Sequence, residues 1–484
     1  MTTKRILILG GGFGGIYAAL RLEKVMAQRP ELEVTLVTRE NYFLFTPMLP
    51  EVAAGDLELN TIVNPLRKLL KRVKTFVGTI EAIDLQGRQV AASHGLDGHS
   101  HELLYDQLIL ALGEGTNFFN LPGVEASCLT VRTLGDAVAI RNQLITHLEE
   151  ANSECAAGER QPLLTFIVAG GGFAGVETLG GINDFVREAI RFYPSLRPEY
   201  LRFILVTPDE VILPELNRKL GLYAQRKLAA RGVEIITHAK VTAMGDGLVE
   251  LTNGDKIPTN TLIWTAGTAP NRLIAELPLP KRNGRIAVDE CLAVEGWPGV
   301  WAVGDCASVC NPAGGFYPHT AQHALREGNT VARNVVAALY GRPKKKPFRY
   351  ASLGQLAAIG RRCGVANILG LNFSGFIAWW LWRTVYLSKL PRLEKKVRVA
   401  MDWTLDLCFT KDFACVTTPS RAGRRATLLS SLETEPTAMR AVKDIVLTRA
   451  EFSGLSRMQQ MIKHSNLPGN SSSGDSNQKA DGTD

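Results

Sequence analysis

Two common cysteine patterns are missing from this sequence. Its eight cysteines form neither a CxxC pair nor a CxxxxC pair. The first absence argues against a zinc ribbon and the second against a redox-active dithiol, so a reduced intracellular setting with plain buried thiols is expected. The eight positions are Cys128, Cys155, Cys291, Cys306, Cys310, Cys363, Cys408 and Cys415.

A signal peptide is also missing from the sequence. Lys4 and Arg5 precede only a short apolar run, residues 6–9, which is too short for the hydrophobic part of such a signal. We therefore expect the chain to begin inside its first folded element.

The net charge of +8 lacks the other signs of a nucleic-acid-binding protein. Aromatic residues are not interleaved with the basic ones, and no groove-reading motif accompanies them. We expect no nucleic-acid partner, and an anionic membrane surface is the better candidate. The length of 484 residues and the 45 glycines are typical of an α/β enzyme with two or three domains.

A glycine turn near the start of the chain follows a short apolar strand. The segment 6–15, ILILGGGFGG, places Gly10, Gly12 and Gly15 between that strand and a helical run over residues 16–25. This is the context of the dinucleotide fingerprint. Glycine permits the turn, the close approach of a pyrophosphate and the close packing of the helix, whose N-terminus attracts the phosphates.

The same pattern occurs a second time in the chain. The segment 166–175, FIVAGGGFAG, carries Gly170, Gly172 and Gly175 in the same spacing. The sequence has no P-loop or kinase loop beside these two turns. Two dinucleotides brought face to face are therefore predicted.

The strands that follow the two glycine turns end on threonine. The strand over residues 33–37 leads into Thr38, and the strand over residues 202–206 leads into Thr207. In the fingerprint an acidic residue at this place binds a ribose hydroxyl. Glu40 is a substitute two residues after Thr38, and a solvent-facing side chain is the other reading of Glu40.

The other patterns predict mixed elements around these two units. Further helices are predicted over residues 135–150, 219–231 and 319–339, antiparallel strands over 75–110, and buried strands over 107–112, 261–265 and 301–305. Segments without a regular element are predicted over residues 41–55, 152–162 and 342–350. A basic helix face is predicted over residues 67–74. From residue 421 the chain is polar, with a helix near 437–464 and disorder after Pro468.

The most apolar helical run covers residues 375–388, GFIAWWLWRTVYLS, and carries Trp379, Trp380 and Trp382. At 1.5 Å per residue it is shorter than the ~20 residues that cross a bilayer. It also contains Arg383, a charge suited to the membrane interface rather than the bilayer centre. The basic residues after it favour anionic lipid. They are Lys389, Arg392, Lys395, Lys396 and Arg398.

Taken together, these motifs resemble the type II NADH:quinone oxidoreductases over residues 4–415. The matching segments are GGGFGG, GGGFAGVE, NYFLFTPML, the ALG after the 107–112 strand, VWAVGDCA, HTAQHALREG and SGFIAWWLW. The resemblance implies an α/β, glutathione-reductase-like fold with two Rossmann-like domains and a C-terminal helical membrane-binding segment. The implied divisions are residues 1–118 and 291–345 for FAD, 119–290 for NAD(P)H, 346–420 for the anchor and 421–484 for the tail.

The resemblance also implies a role for individual residues. Residues implied to bind FAD non-covalently are Gly10, Gly12, Phe13, Gly14, Gly15, Glu40, Pro47, Gly113, Gly304 and Asp305. Those implied for the nicotinamide nucleotide are Gly170, Gly172, Phe173, Gly175, Thr207 and Gly267. Glu177 is implied beside the meeting point of nicotinamide and flavin, and Ala321 and Gln322 are implied to line a quinone pocket that also contains Arg326.

The implied reaction carries hydride from NADH, or from NADPH as a second candidate, to FAD and then two electrons to a membrane quinone. It needs no metal and pumps no protons. The implied location is peripheral, on the cytoplasmic face of an energy-transducing membrane, and a homodimer is one expectation.

Three positions depart from the family pattern. Thr38 and Thr207 stand where acids are usual, and Arg326 stands where a glutamine is usual four residues after Gln322. The first weakens a FAD contact, and the second removes a charge that would repel the 2′-phosphate of NADPH. The third changes the charge of the quinone pocket.

Several alternatives remain open from the sequence. Glu177 has a second reading as an acid in the first turn of its helix. His319, His323 and Glu327 have metal-ligand spacing on one helical face, although that face is needed for flavin and quinone. A sulfide:quinone oxidoreductase would need Cys128 and Cys306 near the flavin, and a redox sensor would use residues 421–484 to recruit a partner.

Overall fold

The computed structural model describes residues 3–95, 98–154, 156–341 and 345–415. These residues belong to one compact unit, Met1–Val416. The predicted helix near residues 437–464 and the predicted disorder after Pro468 lie outside the described residues.

Helices occur along the whole described chain. They are α1 Phe13–Met26, α2 Leu49–Ala53, α3 Leu66–Leu69, α4 Val124–Ser127, α5 Leu134–Ser153, α6 Ala157–Leu163, α7 Phe173–Ala189, α8 Arg218–Ala229, α9 Arg272–Glu276, α10 Ala321–Leu339, α11 Phe376–Lys389 and α12 Leu393–Cys408. The predictions of α1, α5, α8, α10 and α11 are confirmed to within a few residues, and the helix expected to carry Glu177 is α7. The start of α5 is fixed by a capping box between Thr133 and Asp136.

The first glycine turn lies at the end of a parallel five-stranded sheet. In order across the sheet, its strands are Val300–Ala302, Gln107–Leu110, Lys4–Leu9, Leu32–Thr38 and Lys74–Val77. The strands Lys4–Leu9 and Gln107–Leu110 are buried and apolar over most of their length, as expected for inner strands of a parallel sheet, whereas the edge strand Lys74–Val77 is exposed or half-buried.

The second glycine turn lies at the end of another parallel sheet of five strands. Its order is Leu129–Thr130, Thr261–Trp264, Thr165–Ala169, Arg202–Val206 and Val233–Ile236. The two sheets confirm the prediction of two Rossmann-like units, each with its glycine turn between the first strand and a long helix.

Shorter sheets complete the described fold. The three-stranded antiparallel sheets are Thr79–Asp84, Gln89–His94 and His99–Leu104; Val241–Gly245, Leu248–Leu251 and Lys256–Pro258; and Gly354–Ala358, Gly364–Ile368 and Leu371–Gly375. Two two-stranded sheets pair Tyr42–Leu44 with Val63–Pro65 and Glu114–Thr116 with Thr268–Pro270. A last sheet has three short strands, in the order Lys281–Arg282, Arg285–Ala287 and Ala307–Ser308.

Three predictions of irregular or helical segments were wrong. Residues 41–55 contain a strand and α2, because Pro50 suits the first turn of a helix whose Leu49 and Val52 enter the core. Residues 67–74 contain only the end of α3, and Lys74 begins an edge strand. Residues 152–162 contain most of α6, with a proline near its end.

The segment after residue 350, which the sequence analysis left without structure before α11, is a sheet with two helices packed beside it. An added Cβ on Gly364 would lie 2.9 Å from the Trp379 nitrogen, and one on Gly180 would lie 2.8 Å from Ile359. The sheet over residues 354–375 therefore fits closely between α7 and α11. Among the described helices, none combines the length and the apolar character needed to cross a bilayer.

Candidate functional site

The first glycine turn leaves open space where a phosphate would sit. Gly10 has φ +110°, and an added Cβ would collide with the carbonyl oxygen of Ala111. An added Cβ on Gly15 would collide with the Gly10 carbonyl, whereas one on Gly12 meets no atom within 4 Å. Gly12 caps α1, whose free N–H groups face that space. This cradle fits the pyrophosphate of FAD.

A buried acid holds the turn that carries Asp305. Glu327 in α10 accepts a 2.7 Å hydrogen bond from the Gly304 nitrogen, and burial raises the pKa of Glu327 to about 7. Burial, with the nearby Glu114, also raises the pKa of Asp305 to about 6 against the opposing effect of Arg132 and Arg285. The Asp305 carboxylate, near the end of a buried strand, fits a hydroxyl-rich ligand such as the ribityl chain of FAD.

The second glycine turn has a backbone similar to that of the first, but an added Cβ on Gly172 would lie 3.2 Å from Glu215 Oε1, where Gly12 has open space. Gly172 caps α7, and an added Cβ on Gly170, which has φ +122°, would lie 2.5 Å from the Thr265 hydroxyl. Thr207 is fully buried beside this turn, and its hydroxyl lies 3.4 Å from the carboxylate of Asp209. Asp209 is therefore an acid that the sequence analysis missed, two residues beyond the usual place.

The residues at the equivalent place of the first turn are arranged differently. Thr38 is buried against Gly11, while Glu40 is exposed and lies beside Tyr42, whose pKa is raised by burial and by the Glu40 charge. A ribose contact from Glu40 stays a prediction. Gly113 and Gly267 both have positive φ in the segments that follow the central strands.

Glu177 lies inside the molecule, in the second turn of α7. Its Oε1 accepts hydrogen bonds from the Ala358 nitrogen at 3.1 Å and from the Trp382 indole at 2.8 Å. Burial outweighs both bonds and raises its pKa to about 8. The first turn of α7 has no acidic residue, so the reading of Glu177 as a first-turn acid was wrong.

A row of aromatic rings connects Glu177 to the first glycine turn. Trp382 contacts Tyr386 at 4.6 Å between ring centroids, and Tyr386 contacts Phe45 at 6.2 Å. Phe45 in turn contacts Phe13 of the first turn at 5.6 Å. Pro47 follows in a single helical turn, Thr46–Met48, next to this row.

A second group of side chains lies at the start of α10. The Tyr350 hydroxyl donates to Gln322 Oε1 over 2.9 Å, and the Arg326 guanidinium lies 4.0 Å above the Tyr350 ring. Arg326 also donates to the Gln322 carbonyl at 2.8 Å. Ala321 is the first residue of the helix. Tyr350 was missed because it falls in the stretch interpreted as a charged linker.

The structure does not place all predicted site residues together. Among the contacts of the described residues, none joins Glu177 directly to Gln322 or Arg326. His319 precedes α10, so the prediction that it shares a helical face with His323 and Glu327 was wrong. Burial lowers the pKa of His323 to about 4. In the described part of the chain, no group of three His, Cys, Asp or Glu side chains could hold a metal ion.

The two cysteines considered for sulfide chemistry are protonated thiols. Burial raises the pKa of Cys128 to about 11 and that of Cys306 to about 12. Cys306 donates to the carbonyls of Leu110 and Val303. Neither cysteine is therefore a reactive thiolate near neutral pH.

The outer faces of α11 and α12 carry exposed apolar side chains. Trp379 and Trp382 are buried, but Trp380 is 55% exposed. On α12 the exposed residues recur every fourth position, while Val399 and Trp403 face inward. We call this set the apolar face; its members are Phe376, Ile377, Trp380, Leu393, Val397, Met401 and Leu405.

Two charges predicted for the membrane interface lie inside the protein instead. Arg383 stacks on the rings of Trp379 and Trp403, at 4.0 Å and 4.7 Å, and burial lowers its pKa. The Lys395 ammonium donates to the Asn60 carbonyl and is buried. Their interpretation as lipid-facing charges was wrong, because α11 and α12 pack against α2.

Known proteins resemble this chain in both sequence and fold. Residues 4–328 match the pyridine nucleotide-disulphide oxidoreductase family model, and residues 353–412 match the NDH2 C-terminal domain. The structure of NDH2 from Plasmodium falciparum in complex with NADH has a TM-score of 0.78 at 20% identity, covering 85% of this chain and 100% of that chain. That likeness gives the fold.

Relatives of similar sequence narrow the family. The type II NADH:quinone oxidoreductase Ndh of Mycobacterium tuberculosis is 30% identical over 439 residues, 88% of this chain and 92% of the relative. The demethylphylloquinone reductase NdbB of Synechocystis sp. is 34% identical over 408 residues, 82% of this chain and 95% of the relative. The chain therefore belongs to the type II NADH:quinone oxidoreductases, within the pyridine nucleotide-disulphide oxidoreductase family.

Proposed function

We propose that this protein is a membrane-associated NADH:quinone oxidoreductase. The observation that carries the proposal is the link between Glu177, in the helix of the second glycine turn, and Trp382 of α11. Through the aromatic row the same contact reaches the first glycine turn. Both nucleotide turns and the C-terminal segment therefore border one site.

The residues divide the work in that site. When bound, FAD supplies the two-electron chemistry that connects a nicotinamide to a quinone. The first turn and Asp305 bind and orient it, and the second turn holds NADH, with NADPH as a second candidate. Glu177 is held protonated near neutral pH, so it can give a proton during quinone reduction.

Quinone recognition is assigned to the start of α10. The Tyr350 hydroxyl occupies Gln322 Oε1, so the amide NH₂ of Gln322 remains to donate to a quinone carbonyl. Arg326 adds a positive charge that its stacking on Tyr350 holds in place. The names of the relatives refer to different quinones. We expect Arg326 to set the quinone preference of this chain.

The apolar face supports docking on a membrane. Its side chains are 51–76% exposed and concentrate on two consecutive helices. Lys389 and Lys396 lie beside it and favour anionic lipid. We assign the protein to the cytoplasmic face of an energy-transducing membrane, where NADH is formed.

Anaerobic stopped-flow mixing tests the function. We expect NADH to bleach the flavin without sulfide and a quinone to restore its absorbance, with repeated turnover when both are present. A stable reduced complex without turnover would identify a redox sensor instead. Bleaching by sulfide alone would identify a sulfide:quinone oxidoreductase, against the raised pKa values of Cys128 and Cys306.

A further inference from the structure

A small cavity of about 30 Å³ lies between α2, α7, the sheet over residues 354–375 and the two C-terminal helices. Glu177 lines it, together with four further acids and two arginines. These are Glu51, Asp56, Asp184, Asp406, Arg361 and Arg383. A water needs about 10–15 Å³ of such space and two or more polar partners, so the cavity has room for about two waters.

Glu51 is one of the cavity acids that the site described above does not use, and it is bonded to an indole as Glu177 is. Its Oε2 accepts a 3.3 Å hydrogen bond from the Trp403 indole. Burial, and to a lesser extent the charge of Asp56, raises the pKa of Glu51 to about 8. The charge of Glu177 has a smaller effect in the same direction. Arg383 and the Trp403 bond oppose that rise. Glu51 is therefore protonated near neutral pH and can donate a proton.

Glu51 and Glu177 line the same cavity, and each accepts a hydrogen bond from an indole. Their indole donors, Trp403 and Trp382, lie 6.4 Å apart between ring centroids. Tyr386 packs against the Trp382 ring, and burial, with the charges of Glu177 and Glu51, raises the pKa of its hydroxyl. Both acids line the cavity and are only partly exposed to solvent.

The far side of the cavity is also polar and leads outward. In the described residues, the buried Asp406 Oδ1 and Arg383 Nε have no hydrogen-bond partner. Both residues line the cavity, which suits them to bind water there. Arg361, at the edge of the cavity, is exposed to solvent. Beyond it, Lys411 pairs with Asp56 at 2.6 Å.

We propose that Glu51 passes to Glu177, through water in this cavity, the one proton that quinone reduction takes from solvent. This inference rests on the proposed function. In NADH + H⁺ + quinone → NAD⁺ + quinol, the hydride carries two electrons and one proton, and the second proton must enter from solvent. Glu51 gives its proton inward and regains one from the Asp406 side, so it is unchanged after each turnover.

Replacement of Glu51 by glutamine tests the relay. Glu51→Gln keeps the size and accepts the Trp403 bond, but it carries no exchangeable acid proton. We expect flavin content and NADH-driven flavin reduction to stay native, while oxidation of the reduced flavin by quinone slows at least about tenfold. A larger solvent isotope effect and recovery with hydrazoic acid, a small proton donor, are also expected. Infrared spectra should lose one protonated carboxyl band.

Two further variants sharpen the comparison. Glu51→Asp restores a carboxyl and should recover much of the rate, whereas Glu58→Gln, an exposed acid on the same segment, should behave as native. If Glu51→Gln fails to fold, Asp406→Asn at the outer end of the cavity gives the same test.

The outcomes separate this inference from the proposed function. A native protein that does not reduce quinone with NADH overturns the function. A native protein that does, beside a Glu51→Gln variant with native rate, isotope effect and infrared spectrum, overturns the relay alone. A slow variant that hydrazoic acid does not restore also overturns it, because a structural role would give that result.

Discussion

The indole N–H of Trp382 donates a 2.8 Å hydrogen bond to Glu177, which joins α11 to α7 across 205 positions of the chain. This bond lowers the pKa of Glu177 against the larger effect of burial. Trp382→Phe should therefore raise that pKa further and move the alkaline decline of the quinone half-reaction to higher pH. Trp380→Phe, on the exposed side of the same helix, is the control, and identical pH profiles for both variants would contradict the assignment.

Glu177→Gln separates proton transfer from nucleotide binding. We expect slower oxidation of the reduced flavin by quinone, at least about tenfold, with little change in NADH affinity, because a carboxyl there handles protons rather than phosphates. Stopped-flow rates across pH measure both effects. Unchanged turnover at every pH would contradict the role, and the exposed Glu199→Gln is the control.

The same variant should alter stability. The folded state raises the pKa of Glu177 from about 4.5 to about 8, so its stabilising contribution is complete below about pH 4.5 and is lost as the pH rises through about 8. Glutamine cannot ionise and keeps the bonds from Ala358 and Trp382. Glu177→Gln should therefore exceed the native protein in free energy of unfolding at pH 8, as measured by urea denaturation.

Gly12→Val should abolish flavin binding without unfolding the protein. An added Cβ at Gly12 meets no protein atom within 4 Å, so the side chain would fill only the phosphate cradle. The flavin content of the purified variant and its thermal melting test this. Gly158→Val, another exposed glycine with open space, is the control, and a fully yellow Gly12→Val variant would refute the assignment.

Weak discrimination between NADH and NADPH is expected from Thr207. A carboxylate there would repel a 2′-phosphate by roughly a few kcal/mol. Because Thr207 is fully buried, Thr207→Asp is the suitable test and Thr207→Asn is its uncharged control. Only the aspartate should sharpen the preference for NADH in kcat/KM. If the native protein already rejects NADPH, Asp209 supplies the charge and this reading of Thr207 is wrong.

The apolar face should anchor the protein to lipid. The double variant Val397→Glu with Met401→Glu should lower binding to anionic vesicles at least about tenfold, since each buried apolar side chain contributes ~1.5–3 kcal/mol. NADH-driven flavin reduction should stay native. A matched pair, Leu104→Glu with Leu222→Glu, adds the same charge at exposed leucines elsewhere. Equal vesicle binding by both pairs would contradict the anchor. Truncation after Tyr350 is a poorer test, because it removes Trp382 from Glu177.

Local patterns were enough for the two nucleotide turns. Gly10 and Gly170 have positive φ, a local backbone requirement that makes the glycine pattern visible in the sequence, although the atoms they approach, in Ala111 and Thr265, lie in distant segments of the chain. The strand ends at Thr38 and Thr207 were placed for the same reason. The fold class follows from these turns and their flanking strands.

Side chains that act through distant contacts were harder to predict. Tyr350 looked like part of a linker because its partner Gln322 lies 28 positions away. The sequence singled out Glu327 only by its spacing from His319 and His323, because its bond to Gly304 exists only after α10 packs beside the first sheet. The Arg383 side chain points into the protein because it stacks on Trp403 of α12, a helix that was not predicted from the sequence. The four-residue spacing from Leu393 to Leu405 was a signal that could have found that helix.

The contact between α1 and α10 limits how this protein can change. An added Cβ on Gly328 would collide with the carbonyl oxygen of Gly14, so the helix of the phosphate cradle and the helix of Gln322 touch backbone to backbone. Neither helix can slide without opening that contact. A substitution at Arg326 can therefore change the side chains around Gln322 without moving α10 relative to the phosphate cradle.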